Sequence, residues 1–251
     1  MQAYAARWPR DEKVETMTRS RRNPGEKLRT AKKRTTSSAR WLQRQINDPY
    51  VKKAKADGYR SRAAYKLIEL DEKFGLFKGV ERAVDLGIAP GGWSQVLRLK
   101  CPKAKVVGID LLPTDPIEGV TIFEMDFMAD EAPAALEGAL DGPPDLVLSD
   151  MAANTVGHKQ TDHLRIIALC EAAAELAFDV LEEGGTFVAK VLAGGAEGSL
   201  QAILKQKFRS VANVKPPASR SDSSEKFVVA TGYRGAPDPE SDDQDSAGPL
   251  G

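Results

Sequence analysis

A glycine-rich stretch between residues 85 and 96, DLGIAPGGWSQV, has the composition of a ligand-binding turn. It follows a short apolar run and leads into a helical pattern, which predicts a strand, a turn and a helix in that order. Glycines in such a turn let the main chain approach a ligand closely, and free N–H groups at the helix N-terminus favour a carboxylate or phosphate. A nucleotide-like cofactor is therefore the first interpretation, with a purely structural turn as the alternative.

The spacing of the glycines argues against a dinucleotide cofactor. Gly87, Gly91 and Gly92 do not follow the G-x-G-x-x-G pattern, and Pro90 lies inside the turn. A nicotinamide oxidoreductase is therefore disfavoured.

Four polar residues stand at the ends of predicted strands, namely Asp85, Asp110, Asp150 and Lys190. Ligands of parallel sheets bind outside the carboxyl ends of the strands, and an acid about 20 residues beyond the turn, as Asp110 is, can accept hydrogen bonds from ribose hydroxyls. Asp126 follows the third strand and could meet a base edge. Each acid could instead be a helix cap. Together with the turn they outline a site for an adenosine.

The elements that must position these residues alternate along the chain. Helical or turn-rich connections separate five apolar strand-like segments, which are RAVDLG, KVVGID, VTIFEM, DLVLSD and GTFVAKVL. This order predicts an α/β fold with a mostly parallel sheet and helices on both faces.

A helix is predicted ahead of the sheet, over residues 61–74, with Ser61 as its N-cap. Its apolar residues recur at helical spacing and form one stripe, which consists of Ala64, Leu67, Ile68 and Leu70.

The charges are distributed very unevenly, although the formal net charge of the 251 residues is zero. Residues 1–56 contain 16 Lys and Arg against 5 Asp and Glu, whereas residues 235–251 contain five acids and no base. We therefore expect a basic, disordered extension over 1–39, a folded domain over 40–234 and an acidic disordered tail over 235–251. The extension either contacts RNA phosphates or is only a solvated tail. Its clustered cations are Arg19, Arg21, Arg22, Lys32, Lys33 and Arg34.

The remaining composition favours a cytoplasmic protein without a metal centre. No signal peptide and no apolar run of membrane-spanning length are present in the sequence. Cys101 and Cys170 lie in or beside helical patterns, which favours reduced packing residues. His158 and His163 lie in a polar stretch, where loop residues are the simpler interpretation than a metal site.

Six segments of the chain carry a resemblance to a known family. YRSRAAYKL, DLGIAPGGWSQV, GIDLLPTDPIEGV, DLVLSDMAAN, TFVAKVL and SSEKFVVATGY together resemble the FtsJ/RrmJ family over roughly residues 40–233. The family consists of S-adenosylmethionine-dependent enzymes that methylate a ribose 2′-hydroxyl of ribosomal RNA. The resemblance implies a Rossmann-like methyltransferase fold with a mostly parallel, seven-stranded sheet.

The resemblance also implies the site residues. The family's Lys-Asp-Lys-Glu tetrad matches Lys66, Asp150, Lys190 and Glu225, which are separated by 84, 40 and 35 residues. The residues that it implies for the cofactor site are Gly91, Trp93, Asp110, Asp126 and Asp150. Trp93 could pack either on the cofactor or in the core. Ile88 stands where the family more often has a small residue.

The tetrad suits the chemistry of methyl transfer to a hydroxyl. A 2′-hydroxyl is a poor nucleophile, so the site must position it and accept its proton. Lys190 is the base that the resemblance implies, but a free lysine has a pKa near ~10.4 and something must lower it. Lys190 could instead stay charged and stabilise the developing alkoxide while Asp150 takes the proton.

The expected function is methylation of a uridine 2′-hydroxyl in the 23S rRNA of the large ribosomal subunit, with S-adenosylmethionine as the methyl donor. The expected partner is ribosomal RNA, within the large subunit, and we expect a monomer that does not bind a membrane. A non-catalytic RNA-binding protein is the alternative from another class. It would keep the basic extension but could lose the tetrad, whereas this chain has all four members.

Overall fold

The computed structural model describes residues 35–152, 159–192 and 197–235. Within these residues helices and strands alternate along most of the chain. Their bounds are α1 (Thr36–Asn47), α2 (Pro49–Ala56), α3 (Ala63–Phe74), β1 (Arg82–Leu86), α4 (Gly92–Lys100), β2 (Lys105–Asp110), β3 (Val120–Glu124), α5 (Ala132–Leu140), β4 (Leu146–Ser149), α6 (Lys159–Val180), β5 (Thr186–Leu192), α7 (Glu197–Lys207), β6 (Phe208–Val214) and β7 (Glu225–Tyr233).

Two units divide the chain, one over residues 1–48 and the other over residues 49–251. The described part of the first unit, residues 35–48, contains helix α1. The first turn of α1 is capped by Thr35, whose Oγ1 accepts a hydrogen bond from the Ser38 N–H at 3.3 Å. The boundary expected after residue 39 therefore falls inside a helix. The preceding basic residues, 1–34, and the acidic tail from residue 236 onward lie outside the described residues.

The second unit contains a seven-stranded sheet with the strand order β3-β2-β1-β4-β5-β7-β6. Strands β1 to β5 pair in parallel, whereas β7 is antiparallel to both β5 and β6. The expectation of an α/β fold with a mostly parallel sheet is confirmed. Because β7 runs in the opposite direction, its first residue lies at the edge where β5 ends, and Glu225 is paired with Leu192.

Helices cover both faces of the sheet, as the alternating sequence predicts. One core cluster contains the buried side chains of α5, α6 and α7, and a second contains those of α2, α3 and α4. Successive residues of a strand point to opposite faces, so each central strand contributes to both clusters. In β5, for example, Phe187 belongs to the first cluster and Val188 to the second.

This alternation directs two tetrad residues to the same face of the sheet. Lys190 lies two residues after Val188, and Glu225 lies two residues before Phe227. Val188 and Phe227 both belong to the core cluster of α2, α3 and α4. Lys190 and Glu225 therefore face the layer that contains α3, at the carboxyl edge of the parallel strands.

The start of α3 differs from the prediction. The helix begins at Ala63, and Ser61 is not its N-cap, because Arg62 occupies that position without a side-chain hydrogen bond. The Ser61 Oγ is instead buried without a hydrogen-bond partner among the described residues. It lies where a side chain on Gly92 of α4 would have to go. The predicted stripe is correct, since Ala64, Leu67 and Leu70 are fully buried and Ile68 packs against the same cluster.

Ile88 fills a space that the neighbouring strand leaves open. Its side chain is buried, and it lies against Gly108 of β2, where an added Cβ would collide with it. The large residue in the glycine turn is therefore matched by a glycine opposite it. Cys101 and Cys170 are buried and unpaired, in agreement with their interpretation as packing residues.

The histidine segment also differs from the prediction. His163 lies within α6 and not in a loop, because the polar stretch continues as a helix from Lys159. His158 lies outside the described residues. In the described part of the chain, His, Cys, Asp and Glu form no group that could hold a metal ion. Among the same residues, each helix is too short or too polar to cross a membrane.

Candidate active site

The glycine turn connects β1 to α4 and depends on glycine at two positions. Gly87 and Gly91 have φ angles of 76° and 105°, which residues with a Cβ rarely adopt. A Cβ on Gly87 would collide with the side chain of Met151, and one on Gly91 would lie 2.5 Å from Cδ1 of Ile117. The turn therefore lies close to both the segment after β4 and the loop before β3.

A cavity of about 330 Å³ opens beside this turn, at the carboxyl ends of β1 to β4. Its volume is within the range of sites that bind small ligands. Among the described residues, the charged side chains of its lining are Asp110, Asp126 and Asp150. Most of the other lining side chains are apolar, and they include Ile109, Leu111, Leu112, Met125, Phe127 and Met128.

Asp110 and Asp126 are oriented by main-chain N–H groups. Asp110 accepts one hydrogen bond from Ala89 of the glycine turn at 2.8 Å and another from Leu112 at 2.9 Å. Asp126 accepts a hydrogen bond from the Met128 N–H at 3.0 Å through Oδ1. Its Oδ2 has no hydrogen bond within the described part of the chain. Both carboxylates thus line the cavity with capacity to accept further hydrogen bonds.

Two of the residues implied for the cofactor site are not among the residues that line this cavity. Trp93 is buried, its Nε1 donates a hydrogen bond to the Ala63 carbonyl at 2.8 Å, and its ring lies 5.6 Å from that of Phe227. This is the core position that the sequence left open as an alternative. Gly91 precedes α4 as its N-cap and approaches Arg60 and Ile117.

Asp85 lies below the turn and is completely buried. Its Oδ2 accepts a hydrogen bond from the Ser94 hydroxyl of α4 at 2.7 Å. The pKa of Asp85 is raised to about 7, chiefly because the carboxyl group is buried; hydrogen bonds from Ser94 act in the opposite direction, and the nearby Asp150 and Asp110 carboxylates add to the rise. Asp85 does not line the cavity. It joins β1 to α4 beneath the glycine turn.

The structure brings Lys66, Asp150, Lys190 and Glu225 together in one cluster. Lys66 Nζ lies 2.7 Å from Glu225 Oε1 and 3.6 Å from Asp150 Oδ1. Lys190 Nζ lies 3.0 Å from the same Asp150 oxygen and donates a second hydrogen bond to the Asp150 carbonyl at 2.6 Å. The two lysines and two acids thus form a continuous chain of ion pairs, from Glu225 through Lys66 and Asp150 to Lys190.

Four different elements supply this cluster. Lys66 comes from α3, Asp150 directly follows β4, Lys190 is in β5, and Glu225 begins β7. The side chains of Lys66 and Lys190 are 11% and 8% exposed, so the ion pairs are only slightly screened by solvent. The formal charges cancel, which is the condition under which four ionisable groups are tolerated at such a depth.

The arrangement can position and deprotonate a hydroxyl group. A protonated lysine has three N–H donors, and two of those on Lys190 are directed at Asp150, which leaves one position for a substrate oxygen. A neutral Lys190 at this position can accept a proton, whereas a protonated Lys190 can stabilise a developing negative charge. The geometry fits both roles, and the second role assigns the proton to Asp150.

Sequence reasoning missed Ser219, which supports the cluster from the loop before β7. Ser219 is buried, and its hydroxyl donates a hydrogen bond to Glu225 Oε1 at 3.2 Å, the oxygen that also contacts Lys66. The surrounding stretch, KPPASRSDSS, is polar and rich in serine, which is typical of any surface loop. No local signal distinguishes Ser219 from its neighbours.

Known proteins are similar to this chain in sequence and in fold. The chain is 73% identical to the Ribosomal RNA large subunit methyltransferase E of Novosphingobium aromaticivorans over 222 residues, which cover 88% of this chain and all of that protein. It is 70% identical to the protein of the same name from Erythrobacter litoralis, over 87% of this chain and all of that protein. A crystal structure from Plasmodium falciparum that bears the name of a ribosomal RNA methyltransferase matches with a TM-score of 0.64 and 32% identity, over 71% of this chain and all of that chain.

The family assignment covers most of the second unit. Residues 59–233 match the family described as FtsJ-like methyltransferase, and this range includes the glycine turn, the cavity and all four members of the ion-pair cluster. The fold, the site and the sequence relationships agree with one another. The chain therefore belongs to the FtsJ-like methyltransferase family.

Proposed function

We propose that the chain transfers a methyl group from S-adenosylmethionine to the ribose 2′-hydroxyl of a uridine in large-subunit (23S) ribosomal RNA. The observation that carries this proposal is that Asp150 belongs both to the ion-pair cluster and to the cavity. Its side chain belongs to the ion-pair cluster, and the same residue lines the cavity beside the glycine turn. A ligand in the cavity and a hydroxyl at the cluster would therefore meet at Asp150.

The residues of the cavity fit S-adenosylmethionine. Each Asp110 oxygen accepts one main-chain N–H and keeps capacity for a second donor, as a ribose diol requires. Asp126 Oδ2 can accept a hydrogen bond from an exocyclic amine of adenine. Leu111 and Met128, which are exposed at 67% and 58%, supply apolar surface that a base can cover. When bound, S-adenosylmethionine supplies an electrophilic methyl group on a sulfonium.

The residues of the ion-pair cluster then act on the 2′-hydroxyl, the group that accepts the methyl group. Lys190 binds the 2′-oxygen and orients it, and Asp150 fixes Lys190 through two hydrogen bonds. As the new carbon–oxygen bond forms, the hydroxyl proton moves to Asp150 when Lys190 is protonated, or to Lys190 Nζ when that amine is neutral. Lys66 also contacts the Asp150 carboxylate and is itself paired with Glu225. With both lysines protonated, the formal charges of the cluster cancel before the proton is taken up.

The proposed substrate rests on the relatives and on the resemblance described above. The relatives with 73% and 70% identity are named for methylation of large-subunit ribosomal RNA, and they align over their whole length. The family resemblance supports a uridine and its 2′-hydroxyl. We further propose that the protein acts in the cytoplasm as a monomer, on RNA within the large subunit.

Two experiments test this function. Calorimetry with the full chain should show binding of S-adenosylmethionine, and NAD should bind more weakly or not at all. Large subunits from cells that lack the protein should gain one 2′-O-methyluridine in 23S RNA when they are incubated with the enzyme and S-adenosylmethionine. Mapping of the methylated nucleotides in 23S RNA detects this 2′-O-methyluridine. A methyl group on a base, or on transfer RNA alone, would contradict the proposal.

A further inference from the structure

Arg60 connects two separate loops of the second unit through its guanidinium group. Nη1 donates hydrogen bonds to the carbonyl oxygens of Asp115 at 2.6 Å and Pro90 at 3.2 Å, and Nη2 donates to that of Pro116 at 2.8 Å. Pro90 belongs to the glycine turn, whereas Asp115 and Pro116 belong to the loop between β2 and β3. One side chain thus joins two segments that are separated in the sequence by α4 and β2.

Residues from both loops line the cavity. Gly87 and Ala89 of the glycine turn line it, and so do Leu111 and Leu112 at the start of the β2–β3 loop. Arg60 itself is not among the lining residues. We therefore look for its influence on a ligand in the positions of the two loops that its guanidinium group joins.

Arg60 is itself held in a defined position. Its main-chain N–H donates a hydrogen bond to Gln95 Oε1 of α4 at 2.8 Å, and Gln95 Nε2 donates to the Gly58 carbonyl at 3.1 Å. The packing beside the guanidinium is tight, because a Cβ on Gly91 would lie 3.1 Å from Arg60 Nη1. The arginine is thus fixed to the helix that follows the glycine turn.

A second link is made by Asp110, the last residue of β2, which accepts a hydrogen bond from the Ala89 N–H. Without Arg60, this bond would remain, but the outer parts of both loops would lose their link. A planar guanidinium can donate in several fixed directions at once, whereas a lysine ammonium is a compact point charge on a flexible stem. Three carbonyl acceptors on two loops therefore require arginine at this position.

We infer that Arg60 is a positioning residue, which holds the glycine turn against the β2–β3 loop and thereby raises the affinity of the cavity for S-adenosylmethionine. The inference rests on the proposed function for the identity of the ligand. The link between the two loops depends only on the hydrogen bonds of Arg60 and not on the identity of the ligand.

The chain offers a matched control in Arg98. Its guanidinium also donates to three carbonyl oxygens, those of Glu118 at 3.2 Å, Ala104 at 2.7 Å and Pro102 at 2.9 Å. Glu118 belongs to the same β2–β3 loop, but none of these three acceptors belongs to the glycine turn. Arg98→Ala therefore removes as many side-chain hydrogen bonds as Arg60→Ala without breaking a link between the two loops.

The first measurement is calorimetric titration of S-adenosylmethionine into the full chain without RNA. We expect Arg60→Ala to raise the Kd by about tenfold or more and Arg60→Lys to restore little of the loss, whereas Arg98→Ala should stay within about twofold of the wild type. Equal losses in Arg60→Ala and Arg98→Ala would overturn the inference in favour of general destabilisation. An unchanged Kd with a raised KM for RNA alone would overturn it in favour of a phosphate contact.

The second measurement is hydrogen exchange of the ligand-free proteins. Main-chain amides of residues 87–92 and 111–119 should exchange faster in Arg60→Ala than in the wild type, and Arg98→Ala should not accelerate those of 87–92. Unchanged exchange in both segments would overturn the inference. A wild-type protein that binds no S-adenosylmethionine would instead overturn the proposed function and the affinity effect, and the exchange data would still decide whether Arg60 links the loops.

Discussion

The polar groups of the ion-pair cluster and those of the cavity are held in different ways. Lys66 and Lys190 are held by carboxylates on other elements, at distances of 2.7 Å and 3.0 Å. Asp110 and Asp126 are held by main-chain N–H groups, and in each case one of these lies only two residues further along the chain. Removal of one charged residue from the cluster therefore leaves the other three with a net charge. Removal of Asp110 or Asp126 instead takes away one acceptor and loosens one local turn.

The comparison predicts that the two regions control different steps. In the proposed reaction the cluster acts on the hydroxyl as its proton is lost, so loss of a cluster residue should lower kcat. The proposal assigns binding of the methyl donor to the cavity, so loss of a cavity residue should weaken that binding. Because Asp150 belongs to both regions, its substitution would affect both steps. Substitutions of residues that belong to only one region therefore separate the two steps better.

The largest effect is expected for Lys190→Ala. Loss of the group that accepts the proton or stabilises the alkoxide should lower kcat by about 10²- to 10⁴-fold and leave the affinity for S-adenosylmethionine within about twofold. Single-turnover methyl transfer and calorimetry measure the two quantities separately. Lys105→Ala is the control, because Lys105 also pairs with an aspartate, Asp141, at 3.2 Å, but in an exposed position away from the site. Near-normal turnover by Lys190→Ala would remove Lys190 from the mechanism.

Asp110→Ala should show the opposite pattern. Loss of the carboxylate should weaken binding of S-adenosylmethionine by about 1–3 kcal/mol, which is roughly 5- to 150-fold in Kd, because the ribose hydroxyls and the N–H groups of Ala89 and Leu112 lose their acceptor. At saturating cofactor, kcat should fall less than in Lys190→Ala. Asp110→Asn keeps one acceptor oxygen and should lie between Asp110→Ala and the wild type. If the loss appeared only in kcat, the division between the two regions would be wrong.

The pH dependence of stability tests the raised pKa of Asp85, the buried acid beneath the glycine turn. The pKa of Asp85 is raised to about 7 in the folded protein from an ordinary value of 3.8, so the unfolded chain loses this proton at lower pH than the folded chain. Between these values the folded state binds more protons, and its stability must fall as the pH rises, by at most about 1.4 kcal/mol per pH unit. Above about pH 7 this contribution is constant.

Asp85→Asn removes that titration and keeps an acceptor for the Ser94 hydroxyl. Urea unfolding at pH 5, 6, 7 and 8 should show the stability of the variant rising relative to the wild type up to about pH 7 and then levelling off. Asp126→Asn, at the less buried end of the site, is the control for loss of one negative charge. A difference between Asp85→Asn and wild type that does not change with pH would show that Asp85 is ionised throughout.

The smallest effect is expected from the basic N-terminal segment. Deletion of residues 1–34, which leaves α1 intact, should raise the KM for ribosomal RNA and change neither kcat nor the Kd for S-adenosylmethionine. The slope of log affinity against log salt should flatten by about 0.7–0.9 for each phosphate contact that is lost. The same nucleotide should still be methylated, because phosphate contacts carry no sequence information. Identical salt dependence of the two proteins would identify the segment as a solvated tail.

Local sequence patterns were sufficient to predict several of the residues that line the cavity. The glycines of the turn, and the acids at the end of β2 and shortly after β3, reflect interactions between residues that are close in the chain or related by the regular order of a parallel sheet. The sequence alone therefore places Gly87, Asp110 and Asp126 at one edge of the sheet. The apolar stripe of α3 was predictable for the same reason, because helical spacing alone defines it.

The ion-pair cluster was a different case. Spacing in the chain suggested Asp150 and Lys190 at strand ends, but Lys66 and Glu225 entered only through the resemblance to a family. Glu225 stands at the start of a strand, and it reaches the carboxyl edge only because β7 runs antiparallel to β5. Lys66 is one of several lysines on or near α3, and contact with Glu225 depends on how that helix packs on the sheet.

The sequence by itself determined the order of elements, the glycine turn and the acids beside it, because short-range hydrogen bonds and hydrophobic periodicity leave a direct pattern in the chain. Only the tertiary structure decided that Trp93 packs against Phe227 and that Ser61 lies buried against Gly92. It also decided that Ser219 and Lys66 share one oxygen of Glu225. Most of these contacts join residues far apart in the chain, and their distances depend on the direction of strands and the packing of layers, which no local pattern encodes.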